Sequence, residues 1–338
     1  MTTLANAPES AREERRSRRP AWDGTWGALL AQRIGRLLIS LWVLITAAFL
    51  MIHVIPGDPV RTAMGPTAAQ EAVDARREML GLDNPLAVQY LDYLRHTLTG
   101  DFGTSIISGL PVADIVAQRL PASLELAVIG FVLTMLIAVP SGLAVAVATR
   151  GGRRTPVQLS FSAVSIVLSV IPGFLLAVVL VYVFAVQLRW LPIAGQGDFA
   201  SYILPVLSLS LGGAAAMARI VRTETAAVLS DDFIRTARAK RLPGRLIYLR
   251  HALPNAVTAT LTIGGMVLTG LVMGTILIEN VFAWPGLGSI LVQSIIAKDY
   301  PVVQTLILLY GAMILVVNLV VDLLLAAIDP RSKMKDGR

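Results

Sequence analysis

The stretch VVQTLILLYGAMILVVNLVVDLLLAAI, Val302–Ile328, decides the fold class. It contains one charged residue, Asp322, and exceeds the roughly 20 apolar residues that a helix needs to cross a bilayer core. Five further stretches have the same character: Leu37–Ile55, Ser123–Thr149, Val157–Val186, Ile203–Val221 and Ala256–Phe282. The second contains Pro140 and the third contains Pro172-Gly173, so both are expected to break or kink. The sequence therefore describes an all-α integral membrane protein with six transmembrane helices.

Composition supports this. Hydrophobic residues make up 55% of the 338 and charged residues 15%, where an average soluble domain carries about 25% charged residues. Mean hydropathy is +0.69. The net charge of +7 invites a nucleic-acid partner, but the placement of the charges argues against one. If the N-terminus is cytoplasmic, 22 of the 29 Lys and Arg fall on the cytoplasmic side and 7 on the other. This asymmetry is the positive-inside pattern, and it places both termini in the cytoplasm. The first apolar run follows a long charged tail and has no small-residue cleavage site, so it is read as an uncleaved span.

The chain divides accordingly. Residues 1–32 form a basic tail expected to be disordered, and its Arg15, Arg16, Arg18 and Arg19 suit contact with anionic lipid. Residues 33–328 form the membrane domain, and 329–338 a cytoplasmic tail. Residues 56–121 are too long for a simple loop. Asn84-Pro85 starts a helix there and Gly100 ends it, with Ala87, Leu91, Leu94 and Leu98 at helical spacing. A second short helix is expected from Pro111 to Leu120.

The cytoplasmic loop 222–255 is the most informative segment. From Ser230 to Ala256 it reads SDDFIRTARAKRLPGRLIYLRHALPNA. Ser230 is the expected N-cap, with Asp231 and Asp232 in the first turn, where the helix dipole favours negative charge. Phe233, Ile234 and Ala237 share one side, and Arg235, Arg238 and Arg241 another. Pro243-Gly244 ends this helix, and a second runs from Arg245 towards His251. Such a helix suits docking in a groove of a cytosolic partner, with Ala237 and Ala239 allowing close approach. It equally suits a basic loop resting on headgroups.

This loop resembles the EAA loop of ATP-binding-cassette (ABC) importer permeases, in particular the first-permease type of the dipeptide, oligopeptide and nickel branch. Arg235-Thr236-Ala237 stands at its start and His251-Ala252-Leu253-Pro254 at its end. The branch typically reads RTARAKGL, whereas this chain reads RTARAKRL, with Arg241 at the glycine position and Lys240 before it. A glycine there permits positive φ, and Pro243-Gly244 is the expected substitute break. The resemblance extends through IPGDP (55–59), GLDNPLAVQYLDYL (81–94), GDFGTS (100–105), RLPASLEL (119–126), VFAWPGLG (281–288), AKDYPVVQ (297–304) and DPR (329–331). It implies a type I ABC importer transmembrane fold in the inner membrane of a prokaryote. It also implies a heterodimer with a second permease, two cytosolic ATPase subunits that bind ATP and Mg, and an extracytoplasmic solute-binding protein. Residues 231–241, Leu253 and Pro254 would then couple the ATPases to the spans.

The chain's own chemistry is sparse. None of its four lysines, Lys240, Lys298, Lys333 and Lys335, follows a glycine, so it has no phosphate-binding Gly-Lys loop. Without cysteine there is no disulfide, thiolate metal site or cysteine nucleophile. His53, His96 and His251 lie on different segments and form no metal cluster, and no catalytic constellation is visible. Charge within or beside spans is costly and often functional. Glu125, Glu279 and Asp322, the last one turn after Asn318, are therefore either interhelical hydrogen-bonding groups or the proton-handling groups of a self-sufficient ion-coupled carrier. Gly270 and Gly274 form a small-xxx-small pair, with Gly264 and Gly265 before them and Gly212, Gly213 and Ala214–Ala216 on the preceding span. Such surfaces pack helices within the bundle or against a second permease. A scaffold that recruits cytosolic proteins is a third class. Loss of substrate-dependent uptake on deletion separates it from a transporter.

Overall fold

In a computed structural model the residues described are 25–54, 59–65, 67–79, 81–152 and 154–328. The N-terminal tail to residue 24, most of IPGDP, the DPR segment and the C-terminal tail lie outside them.

Helix α1, Thr25–Val54, begins inside the segment assigned to the tail. The described residues of the insertion that follows form the helices α2 (Pro59–Met64), α3 (Gln70–Met79) and α4 (Leu86–Thr99). The first two were not legible, but α4 starts after Pro85 and ends at Gly100 (φ 76°) as expected. Leu91 and Leu98 are exposed, and Tyr90 meets Phe49 of α1 edge-on at 5.3 Å while Tyr93 lies tilted against it at 5.7 Å. The hydroxyls of Thr46 and Tyr90 share a hydrogen bond of 2.8 Å.

Helix α5, Val112–Ala148, is continuous. The separate helix expected from Pro111 to Leu120 is its first three turns, and Pro140 does not break it. Proline removes one backbone donor and crowds the preceding turn. The Ser141 hydroxyl donates to the Ile137 carbonyl at 2.6 Å, an additional bond in the turn that holds Pro140. Pro172 behaves as expected. Ile171 is extended (ψ 121°), as a residue before proline prefers. Helices α6 (Thr155–Val170) and α7 (Gly173–Leu180, continuing as a π-helical stretch Val181–Gln187) meet there at 97°.

Helix α8 spans Phe199–Val228. The loop helix α9 covers Asp232–Ala239. A short α10, Gly244–Leu246, widens into π-helical turns, Ile247–Ala252, and runs directly into α11, Leu253–Val281. An unforeseen helix, α12 (Leu287–Ala297), precedes α13, Tyr300–Ile328. At 11 residues α12 is too short to span, so span-length reading passed over it. Among the described residues five helices are long and apolar enough to cross a membrane, and the α6–α7 pair makes six if counted as one span.

Small residues set the packing. On α5, a Cβ at Gly142 would lie 2.5 Å from the Ala218 carbonyl oxygen of α8, and one at Gly130 would lie 2.9 Å from Leu209. The Ser210 hydroxyl donates to the Gly130 carbonyl across this seam at 2.9 Å. Trp284, Leu126, Leu204, Ile278 and Phe282 form the centre of one core cluster. Leu287, Val302 and Leu306 form a second beneath α12 and α13.

A candidate coupling loop and the groups inside the bundle

The loop helix α9 is anchored from within. Ile234 is fully buried and Ala237 is 7% exposed. Both pack with Leu229, Ile247 and Ala252. The sequence grouped Phe233 with them, but Phe233 is 42% exposed and faces away. Residues 233 and 234 are 100° apart on a helix, so an apolar pair there straddles two faces. Ala237 thus faces its own chain, while Asp231, Thr236, Ala239, Lys240 and Arg241 are exposed.

The N-cap is Asp231 rather than Ser230. Ser230 instead closes α8, donating to the Ala227 carbonyl. Asp232 accepts from Arg235 at 3.3 Å in an exposed pair. Arg238 is half-buried and donates to the Leu229 carbonyl at 3.4 Å.

At the other end of α9, Arg241 has φ 56°. Its N–H donates to Arg238 (2.8 Å) and that of Leu242 to Ala237 (3.3 Å). This is the Schellman pattern, and Leu242 supplies its customary apolar contact by packing against the α9 cluster. The left-handed residue therefore stays where the resemblance expects glycine. Pro243-Gly244 does not replace it, because Gly244 opens the next helix. Leu253 and Pro254 begin α11.

The two acids singled out within the spans are both engaged. Asp322 lies 3.8 Å from Arg33 of α1, and Asn318 on the same face accepts from Thr269 of α11 at 3.2 Å. Glu279 is fully buried. It accepts from the Ser123 hydroxyl (2.6 Å), the Gly288 N–H (2.6 Å) and the Ser289 N–H (3.2 Å). Ser123 in turn accepts from the Leu287 N–H at 2.8 Å, and the Trp284 indole donates to the Ala122 carbonyl. Gly286 and Gly288 are required here, since a Cβ at either would fall 2.3 Å from Glu279 Oε2 or 2.4 Å from Ile276 Cα. RLPASLEL and VFAWPGLG therefore meet in one hydrogen-bonded knot. AKDYPVVQ and GDFGTS meet in another, where Asp299 accepts from Ser105 Oγ and the Ile106 N–H. Ser123, Trp284, Gly286, Gly288 and Asp299 were missed as residues, although the motifs containing them were visible.

Glu125 is exposed and accepts from Gln196 at 3.4 Å. His96 pairs with Asp101, far in sequence from His251, and the His53 side chain lies outside the described residues. Among the described residues no group of three or more His, Cys, Asp or Glu is arranged to hold a metal. Gly274 packs on Leu209 and Gly265 on Val321 within the chain, whereas Gly270 has open space in front of it. Gly173, beside Pro172, passes the Ser208 carbonyl at the bend, where a Cβ would sit at 3.4 Å.

Comparison with known proteins places this architecture. The glutathione transport system permease protein GsiC of Escherichia coli (strain K12), and those of Salmonella typhi and Salmonella typhimurium (strain LT2), are each 39% identical over 305 residues, covering 90% of this chain and 98% of theirs. Two inward-facing crystal forms of the MetNI methionine ABC transporter match 64% of this chain and 96% of theirs with a TM-score of 0.55, at 19% and 20% identity. The fold is that of the type I ABC importer transmembrane subunit. Residues 28–127 match the N-terminal model of the binding-protein-dependent transport system membrane components. Residues 138–334 match the main model, and on these grounds the chain belongs to the family of binding-protein-dependent transport system inner membrane components.

Proposed function

We propose that this permease forms half of an ATP-driven import path for peptide-type compounds, glutathione-like tripeptides among them, and that both termini face the cytoplasm. Cytosolic ATPase subunits, which bind ATP and Mg, dock on loop 222–255. A second, homologous permease completes the path, and an extracytoplasmic binding protein delivers the substrate.

The observation that carries this reading is the mounting of α9. Ile234 and Ala237 fix it to the bundle end, and its other face offers Phe233, Thr236 and Lys240 to a partner. A helix held this way transmits a push to α8 and α11, the two spans it joins. The basic asymmetry of the loops supports the orientation. On α11, Met266, Gly270, Met273 and Leu277 form an exposed stripe that fits the second permease. The peptide-type substrate rests on the relatives named for glutathione transport.

The ion-coupled carrier is not supported. The family match and the glutathione permease relatives favour ATP-driven transport instead, and Glu279 is held by three donors inside the chain. The test is uptake into proteoliposomes holding this chain, its permease partner, the ATPases and the binding protein. Glutathione or a dipeptide should accumulate with ATP and without an ion gradient. Accumulation by this chain alone, driven by a proton gradient, overturns the proposal.

A further inference from the structure

A cavity of about 370 Å³ opens where the ends of α5 and α8 meet α9, lined by Thr149, Arg150, Arg222, Ser230, Arg235 and Arg238. Its size lies at the low end of the range typical of small-ligand sites, roughly 300–1,000 Å³. Four arginines line it, and no Asp or Glu is among its lining residues. Arg235 is paired with Asp232. Arg150, Arg222 and Arg238 have no ion-pair partner among the described residues. The Nε of Arg222 is buried with no hydrogen-bond partner. Burial, and then the charge of Arg150, hold the Arg238 guanidinium below its ordinary value.

The helix termini do not balance these charges. The C-terminal ends of α5 and α8 contribute about half a negative charge each, which leaves about two positive charges unmatched. A buried guanidinium N–H without an acceptor is costly, and several arginines around one concavity suit the tetrahedral oxygens of a phosphoryl group.

We infer that this cavity binds a phosphate-class anion, contributed either by the headgroup of an acidic phospholipid or by free phosphate, with Arg150 and Arg222 as its principal ligands and Arg238 joining α9 to it. An occupied site ties the loop helix to α5 and α8 and so stiffens the element proposed to receive the ATPase. That consequence rests on the function proposed above, whereas anion binding itself does not.

The test uses the full chain with its permease partner and ATPases. The complex is purified, exchanged into phosphatidylcholine nanodiscs, and assayed for thermal stability with phosphatidylglycerol in the disc or with inorganic phosphate in solution. Chloride of equal ionic strength is the control, and native mass spectrometry counts retained lipid. Stabilisation by phosphatidylglycerol alone identifies the lipid as the source, and stabilisation by inorganic phosphate identifies the free anion. In either case Arg150→Gln and Arg222→Gln should each weaken half-saturation roughly tenfold or more. The inference is overturned if neither probe stabilises the complex beyond chloride, or if both variants respond like the parent. ATPase co-purification is read on the same samples. Anion binding lost with the ATPase retained leaves the proposed function standing. Anion binding retained without any ATPase contradicts that function and leaves the site. If no anion binds and Arg150→Gln sheds the ATPase, the cavity is part of a protein-docking surface and the inference fails.

Discussion

The hydroxyl of Ser123 on α5 donates to the carboxylate of Glu279 on α11 at 2.6 Å, joining two helices whose contact residues are 156 positions apart in the chain. The same hydroxyl receives the Leu287 N–H, so one oxygen closes the start of α12 and holds the acid that caps it. Ser123→Ala leaves two buried polar groups short of a partner. It should lower the stability of the purified chain by about 2–3 kcal/mol, read as a drop in melting temperature in detergent. An unchanged melting temperature would show that the knot is dispensable.

Glycines at the knot and on the outer stripe should respond oppositely. Gly288→Ala places a methyl 2.4 Å from the Ile276 backbone, whereas Gly270→Ala meets nothing within 4 Å. The first should abolish accumulation of folded protein in the membrane, and the second should leave it unchanged. Gly270→Trp should still fold alone yet reduce recovery of the second permease. Full recovery would remove α11 from the proposed interface.

Arg241 carries a backbone strain of about 1–2 kcal/mol, the usual cost of the left-handed region for a residue with a Cβ. Arg241→Gly should therefore stabilise the chain. The greater freedom of glycine in the unfolded state trims the gain to about 1 kcal/mol. Thermal melting of the two proteins side by side checks this, and a loss of stability would mean that the Arg241 side chain makes a contact worth more than the strain.

Asp322 and Arg33 stand 3.8 Å apart and the acid is half exposed, a geometry that contributes within about 1 kcal/mol. Asp322→Asn should leave ATP-driven uptake near its parental rate. Loss of uptake with the protein still inserted and assembled would return that acid to the transport mechanism.

The spans were legible because hydropathy over 20 or more residues is a long, redundant signal, and their number survives the misplacement of any one boundary. The break at Pro172 was legible because proline restricts its predecessor. Pro121 and Pro140 restrict their predecessors in the same way, yet both lie inside the continuous α5, so proline alone does not decide a break. The knot around Glu279 was not legible as a pairing. RLPASLEL and VFAWPGLG mark its two halves, but nothing local to either says that they meet. In the loop, the departure at Arg241 was visible, yet its outcome was decided by Leu242 packing on the α9 cluster. That apolar contact holds the chain in a left-handed turn without glycine.

The outward face of α9 is the surface proposed to meet the ATPase. Ala237 is a poor probe of it, because a bulky residue there displaces the helix from Leu229 and Ile247. Phe233 and Thr236 are better probes, since both are exposed. Phe233→Ala should cut ATPase recovery tenfold or more, as aromatic anchors at interfaces do, with the melting temperature of the chain itself unchanged. Because the chain has no cysteine, Thr236→Cys provides a single thiol for cross-linking. The most direct measurement is cross-linking of this variant within the assembled complex, with Phe199→Cys at the opposite end of α8 as the control. Thr236→Cys should cross-link to an ATPase subunit in a manner that changes when ATP is added, and Phe199→Cys should never do so. Cross-linking from Phe199→Cys, or none from Thr236→Cys in a complex that still transports, would contradict the proposed docking.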